Sequence, residues 1–281
     1  MKKKVILNSI LVSTLLLSGT GVVNAATYNG KVNAESKGHI KFIDQEGPEI
    51  TDPTNPEQPV DPVDPVDPEK PVDPEKPVDP TNPNKGDLVL QYVPELDFGV
   101  HKKTTKGMEA RAKLVKVKNK STSSDNGEGQ ETPVEREVIP FVSTWDSRYD
   151  RDGWKLTVSR DSFKDTKNGE TKLPGAEVVF NELNYADEDS DFKPTAKLGE
   201  VTIGTDAVEL AQASGEKQGM GTFSLALGTK TLDQTDAREN INDEENTYKV
   251  TNGVTFKLAE RSAVSAKRYQ STFTWNLEPE I

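Results

Sequence analysis

Hydrophobic and polar residues alternate with period two over much of this chain, the pattern of strands with one covered face. Trp154, Leu156 and Val158 fall on one face of such a run, with Lys155, Thr157 and Ser159 on the other. Tyr269, Ser271, Phe273, Trp275 and Leu277 align in the same way against Gln270, Thr272, Thr274 and Asn276. Leu88 to Val93, Val178 to Phe180, Phe223 to Leu227 and Val254 to Leu258 read as further strands, separated by Gly, Asn, Asp and Ser clusters. Asp206 to Ala213 predicts a short helix, and Ser121 to Thr132 and Asp187 to Lys193 predict exposed loops. The expected fold is all-β: an antiparallel β-sandwich or barrel-like domain, preceded by a polyproline II spacer.

Composition divides the chain into four stretches. Residues 1–25 read as a signal peptide, with Lys2, Lys3 and Lys4 before an apolar stretch from Val5 to Leu17 and Val23-Asn24-Ala25 as the cleavage site. That apolar stretch is shorter than the ~20 residues of a membrane span, so export without membrane insertion of the mature chain is expected. Residues 26–47 form a short N-terminal segment whose run His39 to Ile43 is strand-like, with Ile40 and Phe42 on one face. It is expected to dock on the main domain or to stay unfolded, because an isolated strand is unstable in water.

Residues 48–86 are the Pro/Asp-rich spacer. A proline stands at every third position from Pro53 to Pro83, eleven in all, which matches the three-residue turn of polyproline II. Such a tract extends roughly 90 Å when stiff. Residues 87–281 are the main β domain, about 195 residues and enough to bury one core.

Charge and cysteine content narrow the function classes. The formal charge is -12, and removal of the three leader lysines takes it to about -15, which argues against nucleic-acid binding. Cysteine is absent, which excludes disulfides, thiol catalysis and lipid attachment through cysteine. An exported chain without cysteine points to a Gram-positive bacterium. Leu173-Pro174-Gly175-Ala176 lacks the Thr of a sortase signal and has no apolar tail behind it, so any attachment to the cell is expected to be non-covalent.

Catalytic chemistry has few candidates. The two histidines are His39 and His101, and no serine sits in a nucleophile-elbow context. A carboxylate pair needs no motif, so a wall hydrolase stays open as an enzyme-class rival. Asp150-Arg151-Asp152-Gly153 partly fits a calcium loop, but Arg148 and Ser159 occupy the positions where the first and last ligands belong. The acidic runs Asp187 to Asp191 and Asp243 to Glu245 read as solvated loops. No catalytic residue, metal site or cofactor is expected.

One basic stretch runs against this background. Lys102 to Lys120 holds eight basic residues and one acid, Glu109. Lys102, Lys103, Lys113, Lys116 and Lys118 are candidate contacts to an anionic wall polymer; an edge strand guarded by lysines is the other reading.

The two alternating runs share the tripeptide Trp-x-Leu, at Trp154-Lys155-Leu156 and Trp275-Asn276-Leu277, 121 positions apart. With Asp146-Ser147-Arg148 and Gly153 before the first, Glu278-Pro279 after the second and Leu96-Asp97-Phe98-Gly99 upstream, the chain resembles the WxL-domain surface proteins of low-GC Gram-positive bacteria. That resemblance implies non-covalent attachment to the cell wall, with peptidoglycan the usual ligand, and assembly with other WxL proteins and WxL-interacting proteins. It makes Trp154, Leu156, Trp275 and Leu277 the candidate wall-binding motif. Two roles for these four residues remain open, core packing and direct stacking on a ligand. The expectation is a secreted, non-enzymatic protein of the cell wall and cell surface; a released adhesin binding host glycan or matrix is the alternative.

Overall fold

The computed structural model describes residues 27–28, 34–35, 40–41, 49–63, 79–120, 134–149, 152–186, 190–214, 217–236 and 246–280. Two compact units divide the chain, Met1–Gln45 and Glu46–Ile281. In the first, β1 (Thr27–Tyr28) pairs antiparallel with β2 (Ala34–Glu35). Ile40 and Lys41 lie outside any strand, and the rest of the run His39 to Ile43 lies outside the described residues, as does the expected leader 1–25.

The second unit holds the remaining strands. They begin with β3 (Thr51–Asp52), β4 (Asn55–Pro62), β5 (Leu88–Tyr92), β6 (Met108–Lys113), β7 (Val115–Asn119), β8 (Glu135–Val138) and β9 (Phe141–Asp146). Next come β10 (Trp154–Arg160), β11 (Lys164–Asp165), β12 (Ala176–Phe180), β13 (Leu183–Tyr185), β14 (Thr195–Ala196), β15 (Val201–Ile203) and β16 (Val208–Ala213). The last are β17 (Gly221–Leu227), β18 (Thr231–Asp236), β19 (Asn246–Leu258), β20 (Tyr269–Gln270) and β21 (Phe273–Pro279). No helix occurs among the described residues, so none there is long and apolar enough to cross a membrane.

Small antiparallel sheets form a ring around one main core, which agrees with the all-β expectation. Their strand orders are β14-β16-β10-β21, β15-β12-β19-β18 with β6 also on β19, β13-β17-β9-β5, and β3-β4-β7-β8. Inward residues of β10, β12, β16, β17 and β19 fill the main core, among them Trp154, Leu156, Phe180, Leu210, Leu225 and Val254. A second, smaller cluster gathers Ile50, Val60, Tyr92, Val117, Val138 and Phe141.

Two expectations require correction. Asp206 to Ala213 is not helical; residues 208–213 form β16, clamped between β10 and β14. Leu156 pairs with Ala211 and Thr157 with Glu209, so Leu210 is the extra residue of a β-bulge. The bulge turns both Leu210 and Ala211 inward. That breaks the period-two signal over helix-favouring residues (Glu209, Leu210, Ala211, Gln212), and the local sequence then reads as a helix.

The proline row is not polyproline II along its whole length either. Asn55–Pro62 is β4, with Val60 opposite Asn119, Asp61 opposite Lys118 and Pro62 opposite Val117. The ladder draws its donors from residues other than proline: Val60 N–H donates to the Ile50 carbonyl at 2.8 Å and Val63 N–H to the Lys116 carbonyl at 2.9 Å. Pro59 contributes only its carbonyl, to Lys120 N–H at 3.2 Å. Proline is compatible with a strand when its missing N–H is not needed there. Fully buried Val60 supplies the anchor, and buried Asp52 holds the β3–β4 turn by accepting from the Thr54 and Asn55 N–H groups while pairing with Arg136 of β8. Residues 64–78 of the row lie outside the described residues.

Candidate functional site

The motif residues lie on two strands, and the structure puts those strands side by side. β10 and β21 pair antiparallel without interruption, with Trp154 opposite Pro279, Leu156 opposite Leu277 and Val158 opposite Trp275. Residues opposite each other in a ladder share a face, so both motifs cover the same core. The two tryptophans stand four rungs apart along the ladder, about 13 Å at strand rise.

Their environments differ. Strand β10 is interior to its sheet, and Trp154, Leu156 and Val158 have no solvent exposure. β21 lies at the sheet's edge, and Phe273, Trp275 and Leu277 are half-buried against the same core. Trp275 stacks on Phe180 of β12 with ring centroids 6.0 Å apart and planes 28° from parallel. Of the two roles left open, core packing holds for Trp154 and Leu156, since a ligand cannot reach a side chain without exposed surface.

The flanking residues of the first motif build the entry to β10. Buried Asp146 takes the Arg148 guanidinium with both carboxylate oxygens, at 3.0 and 2.8 Å. The same guanidinium donates to the Gly153 carbonyl at 2.7 Å, closing the loop on itself. Gly153 has φ of 83°, and a Cβ there would lie 2.2 Å from the Ala213 carbonyl oxygen. The segment that follows the second motif reaches the same place: Glu280 N–H donates to the Gly153 carbonyl at 3.1 Å. Glu280 also accepts from Lys155 Nζ at 2.7 Å, and that hydrogen bond raises the Lys155 pKa above its ordinary value.

Gly219 closes Trp154 from above. A Cβ at Gly219 would sit 2.4 Å from the indole Nε1 and 2.6 Å from the Ala213 Cβ. The indole N–H has no hydrogen-bond partner in this packing. No local signal marks Gly219; only the fold brings it onto a tryptophan 65 positions earlier.

Upstream, Leu96-Asp97-Phe98-Gly99 is a docking turn. Asp97 Oδ2 accepts from Lys113 Nζ at 2.6 Å, its carbonyl accepts from Lys113 N–H at 2.8 Å, and Phe98 meets Phe256 at 5.7 Å. His101 Nε2 is 2.6 Å from the Phe98 carbonyl, so this ring serves the turn. Among the described residues no group of His, Cys, Asp and Glu is arranged to hold a metal, and Asp150 and Arg151 lie outside them. A shallow cavity of about 410 Å³ is lined by Met108, Glu109, Glu177 and Lys257, the last tied to Glu200 at 3.3 Å.

These two strands, with their Asp/Arg/Gly entry, set the context for comparison with known sequences. The family described as WxL domain, surface cell wall-binding, matches residues 29–279. The chain belongs to the WxL domain family. It is a surface protein of the cell wall. Neither curated proteins nor solved structures give a match. The family match takes in the proline row as well as the strands that follow it, consistent with β4 being part of the sheet.

The candidate lysines of the WxL protein lie on three different elements. Lys102 and Lys103 are exposed on the loop before β6. Lys113 belongs to β6 and is held by Asp97. Lys116 and Lys118 are exposed on β7, where Lys116 pairs with Glu135 at 3.0 Å and Lys118 stands opposite both Asp61 and Glu135 in the ladders. Acids on β4 and β8 therefore answer much of the positive charge on β7.

Proposed function

We propose that this WxL protein is exported and holds non-covalently to peptidoglycan, in company with other WxL proteins and WxL-interacting proteins, and acts by binding rather than catalysis. The family match over residues 29–279 carries this reading. The paired Trp-x-Leu strands support it, because both motifs are intact and complete one another in a single ladder. The leader-like pattern of residues 1–25, the absence of cysteine and the family resemblance support export and a low-GC Gram-positive source. The lysines have a secondary part at most: Lys113 and Lys116 are engaged by acids, which leaves Lys102, Lys103 and Lys118 as candidate contacts to anionic polymer.

Co-sedimentation of the purified protein with peptidoglycan, with and without wall teichoic acid and in rising salt, tests the reading. Comparable binding to both preparations with a shallow salt dependence is expected. Binding that requires teichoic acid, or that moves to host matrix in competition, sinks it.

A further inference from the structure

Trp154 and Leu156 have no exposed surface, so these two side chains do not touch the wall. Among the residues whose side chains are described, two aromatics are exposed, Tyr149 at 95% and Phe192 at 42%; the other aromatics of that set are buried or half-buried. Both lie at one end of the β14-β16-β10-β21 sheet. Trp154, first in β10, pairs with Ala213, last in β16, while Thr195, first in β14, pairs with Gln212. The segments before β10 and before β14 therefore leave at the same end, and they carry Tyr149 and Phe192 respectively.

The Phe192 backbone and the neighbour of Tyr149 are tied to the Trp154 end of the ladder. Arg148, next to Tyr149, bridges Asp146 and the Gly153 carbonyl. The Phe192 carbonyl accepts from Gly219 N–H at 2.6 Å, and Gly219 rests on the Trp154 indole. Phe192 N–H donates to Ser190 Oγ at 3.1 Å. Exposed rings on fixed backbone give up little conformational entropy when a ligand settles on them.

We propose that Tyr149 and Phe192 form the glycan-contacting platform of this domain, stacking on the C–H faces of uncharged sugar rings, with the buried Trp154 as its foundation. This rests on the wall-binding reading above. The negative face of an aromatic ring attracts the weakly positive C–H bonds of a pyranose. Charge favours that occupant: the chain carries a formal charge of -12, which repels a phosphate polymer and leaves neutral sugar the better match.

The test compares the wild-type protein with Tyr149→Ala/Phe192→Ala in sedimentation with teichoic-acid-free peptidoglycan, with thermal unfolding run alongside. Equal unfolding midpoints and binding weakened by about tenfold or more are expected. Soluble oligomers of N-acetylglucosamine are expected to displace the wild type, and Tyr149→Trp/Phe192→Tyr to bind as well as it does. Unchanged binding of the alanine variant overturns the platform and leaves the wall reading standing. Failure of the wild type itself to sediment sinks the wall reading instead.

Discussion

Leu156 and Leu277, the third residues of the two Trp-x-Leu motifs, face each other across the β10–β21 ladder. The motifs are thus two halves of one structural unit: an interior strand and the edge strand that covers its flank. Trp154 lies beyond one side of the leucine pair and Trp275 beyond the other, so the two indoles fill separate parts of the core.

That arrangement ranks the two tryptophans. Trp154→Ala removes a fully buried side chain and is expected to cost about 3–5 kcal/mol. Trp275→Ala, at the half-buried edge, is expected to cost about 2 kcal/mol. Urea unfolding of both variants checks the order, and a larger loss at Trp275 contradicts it.

Gly219 is expected to tolerate no side chain. Its φ of 80° disfavours any L residue, and a Cβ would collide with the Trp154 indole. Gly219→Ala should destabilise by about 1–3 kcal/mol in wild type, and by clearly less in a Trp154→Phe background, where the indole nitrogen is gone. A double-mutant cycle by chemical denaturation reads the coupling.

The proline row begins as a strand, so core truncation within it should matter. Val60→Ala is expected to cost about 2 kcal/mol, because two buried methyl groups are lost from the smaller cluster. A flexible spacer would register no change in the unfolding midpoint.

Asp165 makes stability depend on pH. The Lys267 hydrogen bond at 2.6 Å, followed by the backbone N–H of Lys167, holds its pKa below the ordinary 3.8. The folded pKa is depressed, so the unfolded chain takes up the proton first. The stabilisation is therefore complete above the unfolded value and is lost as pH falls through the folded one. Lys267→Met is expected to lower stability near neutral pH, with the gap to wild type narrowing as pH falls below 3.8 and through the folded value. A constant gap between the two unfolding curves across that range contradicts the assignment.

The strands that alternation marked, at Leu88, Val178, Phe223, Val254 and both motifs, are strands in the structure because each has one face on the core. Asp206 to Ala213 was illegible because a bulge, set by pairing with β10, overrides the local period. Pro53 to Pro62 misled for a related reason: the three-residue proline repeat is local, whereas the pairing with β7 is made across more than fifty positions of chain. At the candidate site the motif residues were legible by repetition. Tyr149 and Phe192 were not, since nothing in a sequence separates an exposed aromatic from a buried one outside a periodic run.

The sequence by itself determined the β class, the family and the residues that mark it, because period-two patterning and a repeated tripeptide with its flanks are local signals. Tertiary structure alone decided that the two motifs are neighbours, that Trp154 is sealed beneath Gly219, and that two loops bring exposed rings to one end of the sheet. Each of those facts depends on long-range register, and register is fixed only when the strands pair and their shared face is withdrawn from water.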